Sequence, residues 1–149
     1  MRGVIGELEG GKGENGAGGE VTVVDMEASI EHLSRGTLRH VEGLLIVTEP
    51  YFRALETAGR TVRYARELGI PDIYAVANKV RSPEDERAIR EYCAGQDLPV
   101  LGVVPFDEAV TEADRAGEAV LDAAPDCAAV AAVARLAAEL KGTWVEVPA

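Results

Sequence analysis

Four short apolar stretches, separated by segments with helical periodicity, limit the folds that this chain can adopt. The stretches span residues 21–25 (VTVVD), 43–50 (GLLIVTEP), 72–79 (DIYAVANK) and 99–105 (PVLGVVP). Their apolar residues are continuous rather than alternating, which is typical of strands that are covered on both faces. The sequence therefore predicts an α/β fold, with a parallel sheet of about four to six strands and helices on both faces.

The segments between these stretches carry the spacing and the end signals of helices. Between the second and third stretches, one helical face carries Leu55, Ala58, Val62 and Ala65. Ser82 followed by Pro83 predicts the start of the next helix. In the alanine-rich last helix, we expect the buried stripe to consist of Val130, Val133, Ala137 and Leu140. The stretch TWVEV that follows is typical either of a final edge strand or of a surface tail.

The charge, the apolar stretches and the cysteines of the sequence indicate the environment and the partners of the protein. The formal net charge of -11 repels a phosphate backbone, so we expect no nucleic-acid partner. No stretch is long and apolar enough to predict a membrane span, and the start lacks the apolar core of a signal peptide. Cys93 and Cys127 lie far apart and predict reduced, buried thiols. We therefore expect a cytoplasmic protein.

Glycine content sets the predicted domain boundary. Residues 1–20 include GGKGENGAGGE and predict a flexible segment, in which VIGEL has the composition of a short strand. Residues 21–149 predict one α/β domain, because a chain of 149 residues is long enough for a single hydrophobic core.

The residues that follow the predicted strands form the candidate site, because ligands of parallel sheets bind beyond the carboxyl ends of the strands. They are Asp25, Glu27, Thr48, Glu49, Asn78, Lys79, Pro105 and Asp107. An acid placed like Asp25 is typical either of a Mg²⁺ ligand acting through water or of a helix N-cap. The Asn78 amide matches the N6/N7 edge of adenine, or serves a turn with a left-handed backbone. Pro105 imposes a turn that faces a flat base, or simply ends the strand.

The other metal-binding residue types favour structural roles. His32 and His40 are the only histidines and have no cysteine nearby, so no set of about four zinc ligands can be assembled. The acidic stretch at residues 107–122 is most simply a solvated helical face, with a partner-docking surface as the alternative.

Taken in order, VVDMEASIEHLSRGT, LLIVTEP, ANKV and VVPFDEAVTEADRAGEAV resemble the second half of the carbon monoxide dehydrogenase accessory ATPases of the CooC type. That family lies within the ParA/MinD group of P-loop ATPases. The resemblance covers residues 21–140, and EHLSRGT is its most specific part. It implies a truncated P-loop NTPase fold that binds ATP or ADP with Mg²⁺, dimerises around the nucleotide, and helps deliver nickel to a metalloenzyme client.

The resemblance implies roles for individual residues. Asp25 resembles the Walker B or switch II acid that orders the Mg²⁺ shell, and Glu27 lies in the same switch segment, so both are candidate catalytic residues. Asn78, with Lys79 beside it, is similar to the adenine-reading asparagine. Pro105 and Asp107 resemble the loop that lines the base and the ribose.

Two family motifs are missing from this sequence. The family begins with a loop of the form KGGxGKT, and the nearest stretch here is GGKGENGAGG, with Gly13 where a Ser or Thr would hold Mg²⁺. The CxC metal motif is also absent. We therefore expect weak or no nucleotide binding by the isolated chain, and little ATPase activity. The alternative is a non-catalytic dimerisation or docking module derived from a degenerate ATPase of this group.

Loss of the strand that precedes the phosphate loop would leave backbone groups in the sheet unpaired. Each such group costs about 1–3 kcal/mol when buried, against a domain stability of about 5–15 kcal/mol. VIGEL could pair there, two chains could join edges, or a second polypeptide could supply the missing half. We predict a homo-oligomer or a complex with a second chain rather than an isolated monomer.

Overall fold

The computed structural model describes residues 22–26 and 41–144, with side chains described as far as residue 141. In this part of the chain the strands are β1 (Gly43–Thr48), β2 (Asp72–Val80) and β3 (Val100–Pro105). The helices are α1 (Phe52–Glu67), α2 (Pro83–Ala94), α3 (Glu108–Ala116), α4 (Val120–Ala123) and α5 (Ala128–Trp144). The sheet order is β1-β2-β3 and both pairs are parallel. The predicted α/β fold is confirmed, with three strands in the described part of the sheet.

Helices cover both faces of the sheet, as predicted. On one face, Val62 of α1 and Ile89 of α2 are fully buried and pack with Ile46 and Ala75 of the strands. On the other face, α5 packs on β2 and β3 through a second cluster that contains Ala129, Ala132, Leu136, Val76 and Val104. The central strand β2 is therefore covered on both sides, which explains its continuous apolar run AVA.

The ends of α1 and α2 lie where the sequence predicts them. The buried face of α1 contains Leu55, Ala58, Val62 and Ala65. Gly69 follows the helix with a φ of 78°, a left-handed conformation that glycine adopts without steric cost. Ser82 is the N-cap of α2, and its hydroxyl accepts a hydrogen bond of 3.3 Å from the Asp85 backbone N–H.

The predicted first strand is wrong for the residues that the structure describes. Residues 22–26 form no strand, and the Val23 side chain is 86% exposed. A strand exists only where a second strand accepts its backbone hydrogen bonds, and within the described residues β1 pairs with β2 alone. The apolar composition of VTVVD is therefore not sufficient to place it in the sheet.

The predicted buried stripe of α5 is also wrong. The residues that α5 buries are Ala129, Ala132 and Leu136, whereas Val133 is 54% exposed. The helix is turned towards β3 because Gly102 has no side chain there: a Cβ at Gly102 would lie 2.5 Å from Leu136 Cδ2. Close approach to a glycine favours small residues on the packing face, so alanines occupy it. Thr143 and Trp144 continue α5, so TWVEV begins as helix rather than as an edge strand.

Asp107 joins the starts of two helices. As N-cap of α3, it accepts a hydrogen bond from the Ala109 N–H at Oδ1 (3.1 Å). Its Oδ2 accepts a second bond from the Ala129 N–H in the first turn of α5 (3.2 Å). The bonds from Ala109 and Ala129 lower the pKa of Asp107, because they stabilise its charged form.

We expect Gly102→Ala to destabilise the fold by about 1–3 kcal/mol, because the new methyl group overpacks the contact with Leu136. Urea unfolding of a double-mutant cycle checks this. In a Leu136→Ala background the space is open, so the same Gly102→Ala change should have almost no effect. Additive effects of the two changes would contradict the proposed contact.

We expect Asp107→Ala to lower the melting temperature at neutral pH, because both helix starts lose an acceptor. The folded-state pKa is depressed, so this contribution is present above the usual aspartate pKa and is lost as pH falls through the folded-state value. The difference in melting temperature between wild type and Asp107→Ala should therefore shrink in acid. Asp107→Asn, which keeps an N-cap acceptor, is the matched control and should lose less. A difference that does not change with pH would contradict this.

Candidate functional site

The carboxyl ends of the three parallel strands meet at one edge of the sheet. We call this edge the carboxyl rim and define it as residues 48–49 at the end of β1, 78–81 at the end of β2, and 105–107 at the end of β3. Residues brought here from three separate parts of the chain become neighbours, because parallel strands end side by side. Six of the candidate site residues predicted from the sequence lie on this rim: Thr48, Glu49, Asn78, Lys79, Pro105 and Asp107.

A bulge places Asn78 and Lys79 on the rim. The pairing of β2 with β3 shifts register between Ala77 and Val80, so the two residues between them lie outside the regular ladder. Lys79 has a φ of 55°, a left-handed conformation that is uncommon for a residue with a side chain. Bulges of this kind redirect side chains beside binding sites. Asn78 is partly buried and Lys79 is exposed.

Lys79 forms an ion pair across the ends of β1 and β2. Its Nζ lies 2.7 Å from Glu49 Oε1, and the Lys79 side chain is 56% exposed. An exposed pair of this kind contributes only about 0–1 kcal/mol to stability. Its main effect is local: Glu49 neutralises the charge of Lys79 at the rim.

Thr48 ends β1 with a buried hydroxyl. The residue is 2% exposed, and within the described residues its Oγ1 has no hydrogen-bond partner. An unsatisfied buried hydroxyl costs about 1–3 kcal/mol, so such groups normally have a partner. This places an unused hydrogen-bonding group directly beside the Glu49–Lys79 pair.

Phe106 and Arg81 are rim residues that the sequence did not single out. Val80 pairs with Pro105, and the Phe106 N–H donates a 2.9 Å hydrogen bond to the Val80 carbonyl. The Arg81 guanidinium carbon lies 3.4 Å from the centroid of the Phe106 ring. Arg81 directly follows the motif ANKV and Phe106 lies within the motif VVPFDEAV, but only the pairing of β2 with β3 brings them together.

The structure gives Asp107 a capping role at the rim. Both of its carboxylate oxygens accept backbone hydrogen bonds, from Ala109 and Ala129. Its predicted contact with a cofactor stays a prediction.

Asp25 does not join the rim. It is exposed and follows no strand, and the next residue, Met26, packs on the cluster formed by Ala65 and Ile70. Ile70 lies just before β2, so this cluster is at the amino ends of the strands, opposite the rim. The expectation that Asp25 follows a strand end is therefore wrong, while its role with Mg²⁺ stays a prediction. Glu27 lies outside the described residues.

The described residues offer no metal cluster. Residues 22–26 and 41–141 hold no group of three or more His, Cys, Asp or Glu side chains that could bind a metal ion. His32 and His40 lie outside the described ranges. Cys93 is buried in the core, and burial raises the pKa of its thiol, which disfavours the reactive thiolate. Within the same ranges, none of the helices has the length and apolar character that a membrane span requires.

One concavity of the described structure lies away from the rim. It has a volume of about 420 Å³ and is lined by residues that include Arg90, Leu98 and Pro99. These residues lie at the end of α2 and before β3, at the amino edge of the sheet. We place the candidate site at the rim instead, because the polar residues of three strands converge there.

Comparisons with known proteins agree with the fold and with the resemblance. The chain is 45% identical over 108 residues to the carbon monoxide dehydrogenase accessory protein CooC of Rhodospirillum rubrum, covering 72% of this chain and 40% of that protein. It is 41% identical over 100 residues to an uncharacterised ATP-binding protein of Methanocaldococcus jannaschii, covering 66% of this chain and 38% of that protein. The chain thus spans less than half the length of these curated relatives.

Solved structures give the same fold. A ParA family ATPase from Chlorobium tepidum superposes with a TM-score of 0.58 at 26% identity, covering 70% of this chain and 43% of that one. The MinD cell division protein of Aquifex aeolicus superposes with a TM-score of 0.62 at 14% identity, covering 78% of this chain and 52% of that one. The profile of the CobQ/CobB/MinD/ParA nucleotide binding domain matches residues 15–121. The chain belongs to the CobQ/CobB/MinD/ParA nucleotide-binding domain family.

Proposed function

We propose that this chain is an adenine-nucleotide-binding protein related to the CooC-type maturation ATPases, and that the carboxyl rim receives the base. The observation that carries the proposal is the bulge in β2, which sets Asn78 outside the ladder next to the end of β3. A carboxamide offers one acceptor and two donors, which complement the N6/N7 edge of adenine. Pro105 pairs with Val80, two residues beyond Asn78, and limits the site on the β3 side.

The proposed site has few groups that could bind the phosphates of a nucleotide. Most of the affinity of P-loop proteins for nucleotides comes from the backbone N–H groups and lysine of the loop. The sequence lacks a matching loop, and Lys79 is paired with Glu49. ATP or ADP should therefore bind weakly to the isolated chain, with little hydrolysis.

The described rim does not fit Mg²⁺. Its carboxylates are already engaged, Glu49 by Lys79 and Asp107 by two helix starts. The roles of Asp25 and Glu27 in Mg²⁺ binding and catalysis come from the family resemblance: Asp25 lies away from the rim, and Glu27 lies outside the described ranges. Nickel delivery to a metalloenzyme client is proposed from the resemblance to the CooC-type ATPases, and a cytoplasmic location from the separated cysteines.

A docking role is the second candidate function, and the exposed end of β1 favours it. Val47 is 61% exposed on the face of β1 that α5 leaves uncovered, and Phe52 is 73% exposed at the start of α1. Within the described residues the outer edge of β1 has no strand partner. Unpaired edges beside apolar side chains favour association. The partner would be a second copy of this chain or a separate chain.

For the nucleotide site, we expect Asn78→Ala to weaken ATP binding by about fivefold or more, because the base edge loses a bidentate contact. Isothermal titration calorimetry with ATP and Mg²⁺ measures the effect. The control is Gln96→Ala, which removes an amide beyond the end of α2 and should bind like wild type. If wild type binds ATP and Asn78→Ala binds it with the same affinity, the assignment of Asn78 to the base is contradicted. No heat at any workable concentration would favour the docking role.

For the docking surface, we expect wild type to sediment as a dimer or larger species, and Val47→Lys to shift it towards monomer, because a charge at the uncovered face opposes association. Leu121→Lys is the matched control, since Leu121 is 65% exposed on α4, away from β1. Sedimentation velocity distinguishes these species. A wild-type protein that is a sharp monomer and melts cooperatively would exclude this surface as a self-association site.

A further inference from the structure

We propose that Arg81, stacked on Phe106, forms the flat face on which the nucleotide base lies, while Asn78 contacts the edge of that base. This inference rests on the proposed adenine-nucleotide function and adds a second recognition element to it. It adds Arg81, which follows the motif ANKV, and gives a specific role to Phe106 within the loop that contains Pro105 and Asp107.

The stack has the geometry of a platform for a planar ligand. The Arg81 guanidinium lies 3.4 Å from the centre of the Phe106 ring, which is close enough for full contact between a planar cation and an aromatic face. Arg81 is exposed and Phe106 is partly buried. The ring thus supports the guanidinium from the protein side, and the guanidinium keeps surface that faces solvent. Bases stack on arginine planes held in this way.

The backbone on both sides of the stack is fixed. The Arg81 N–H donates to Asp85 Oδ2 (3.0 Å) in the first turn of α2. The Phe106 N–H donates to the Val80 carbonyl (2.9 Å), and the next residue caps α3. Both side chains therefore start from anchored positions, so less ordering is needed when a ligand binds.

Asn78 and the Arg81–Phe106 pair lie on the same part of the rim. Asn78 and Arg81 lie at the two ends of the same four-residue rim segment, and Phe106 follows the strand paired with it. An amide that contacts a base edge and a plane that covers a base face act in perpendicular directions. Together they define both the position and the tilt of a purine.

A phosphate contact is the competing role for Arg81, since a guanidinium also binds phosphate through its N–H groups. The two roles differ in what they require. Stacking requires a planar group, which lysine does not provide, whereas phosphate binding requires mainly the positive charge. Ligands that lack one part of the nucleotide therefore separate them.

The test measures dissociation constants for adenosine, ATP with Mg²⁺, and inorganic tripolyphosphate by ligand-observed NMR titration. The variants are Arg81→Ala, Arg81→Lys and Phe106→Leu, with Arg135→Ala on the exposed side of α5 as the charge-matched control. We expect Arg81→Ala to weaken adenosine and ATP by the same factor, about fivefold or more. Arg81→Lys should not restore binding, Phe106→Leu should weaken it partly, and Arg135→Ala should match wild type.

Every other result contradicts either the stacking proposal or the proposed function. Full rescue by Arg81→Lys, with weaker tripolyphosphate binding in Arg81→Ala, would show that Arg81 holds phosphate and would overturn the stacking proposal. If Arg81→Ala binds ATP as tightly as wild type does, the stacking proposal is overturned, and the proposed adenine site at Asn78 is unaffected. Wild type that binds neither adenosine nor ATP would overturn the proposed function, and the stacking proposal with it.

Discussion

Parallel pairing of β1, β2 and β3 is the constraint on which the rest of the structure depends. It brings the ends of three separate segments to one edge and fixes which residues are neighbours there. Glu49 reaches Lys79, and Phe106 reaches Arg81, only because the strands that carry them end side by side. A regular ladder would keep Asn78 and Lys79 paired with β3, so the bulge at these residues is what frees them for the rim.

The loop after β3 serves stability and the candidate site together. Asp107 ties the start of α3 to the start of α5, and its neighbour Phe106 supports Arg81. Because α5 covers the sheet through small residues above Gly102, this loop is attached to the core on both sides. A base bound at the rim would therefore contact a loop that is already ordered, which lowers the entropy lost on binding.

The sequence predicted correctly those features of the helices that depend only on residues close together in the chain. The buried face of α1 and the Ser82 cap of α2 were correct, since spacing and capping depend on residues a few positions apart. The stripe of α5 was wrong because Gly102, far away in the chain, decides which face of the helix can approach the sheet. The predicted first strand was wrong for its described residues, 22–25, because apolar composition does not supply the partner strand that pairing requires.

The sequence by itself determined the fold class, the parallel sheet and the family, because continuous apolar runs, helix caps and ordered motifs are all local features of the chain. It also selected Asn78 and Pro105 as rim residues. Only the tertiary structure decided that Asp107 caps two helices, that Glu49 pairs with Lys79, and that Arg81 stacks on Phe106. Each of these contacts joins residues from different elements, and its geometry is set by the register of the sheet rather than by local sequence.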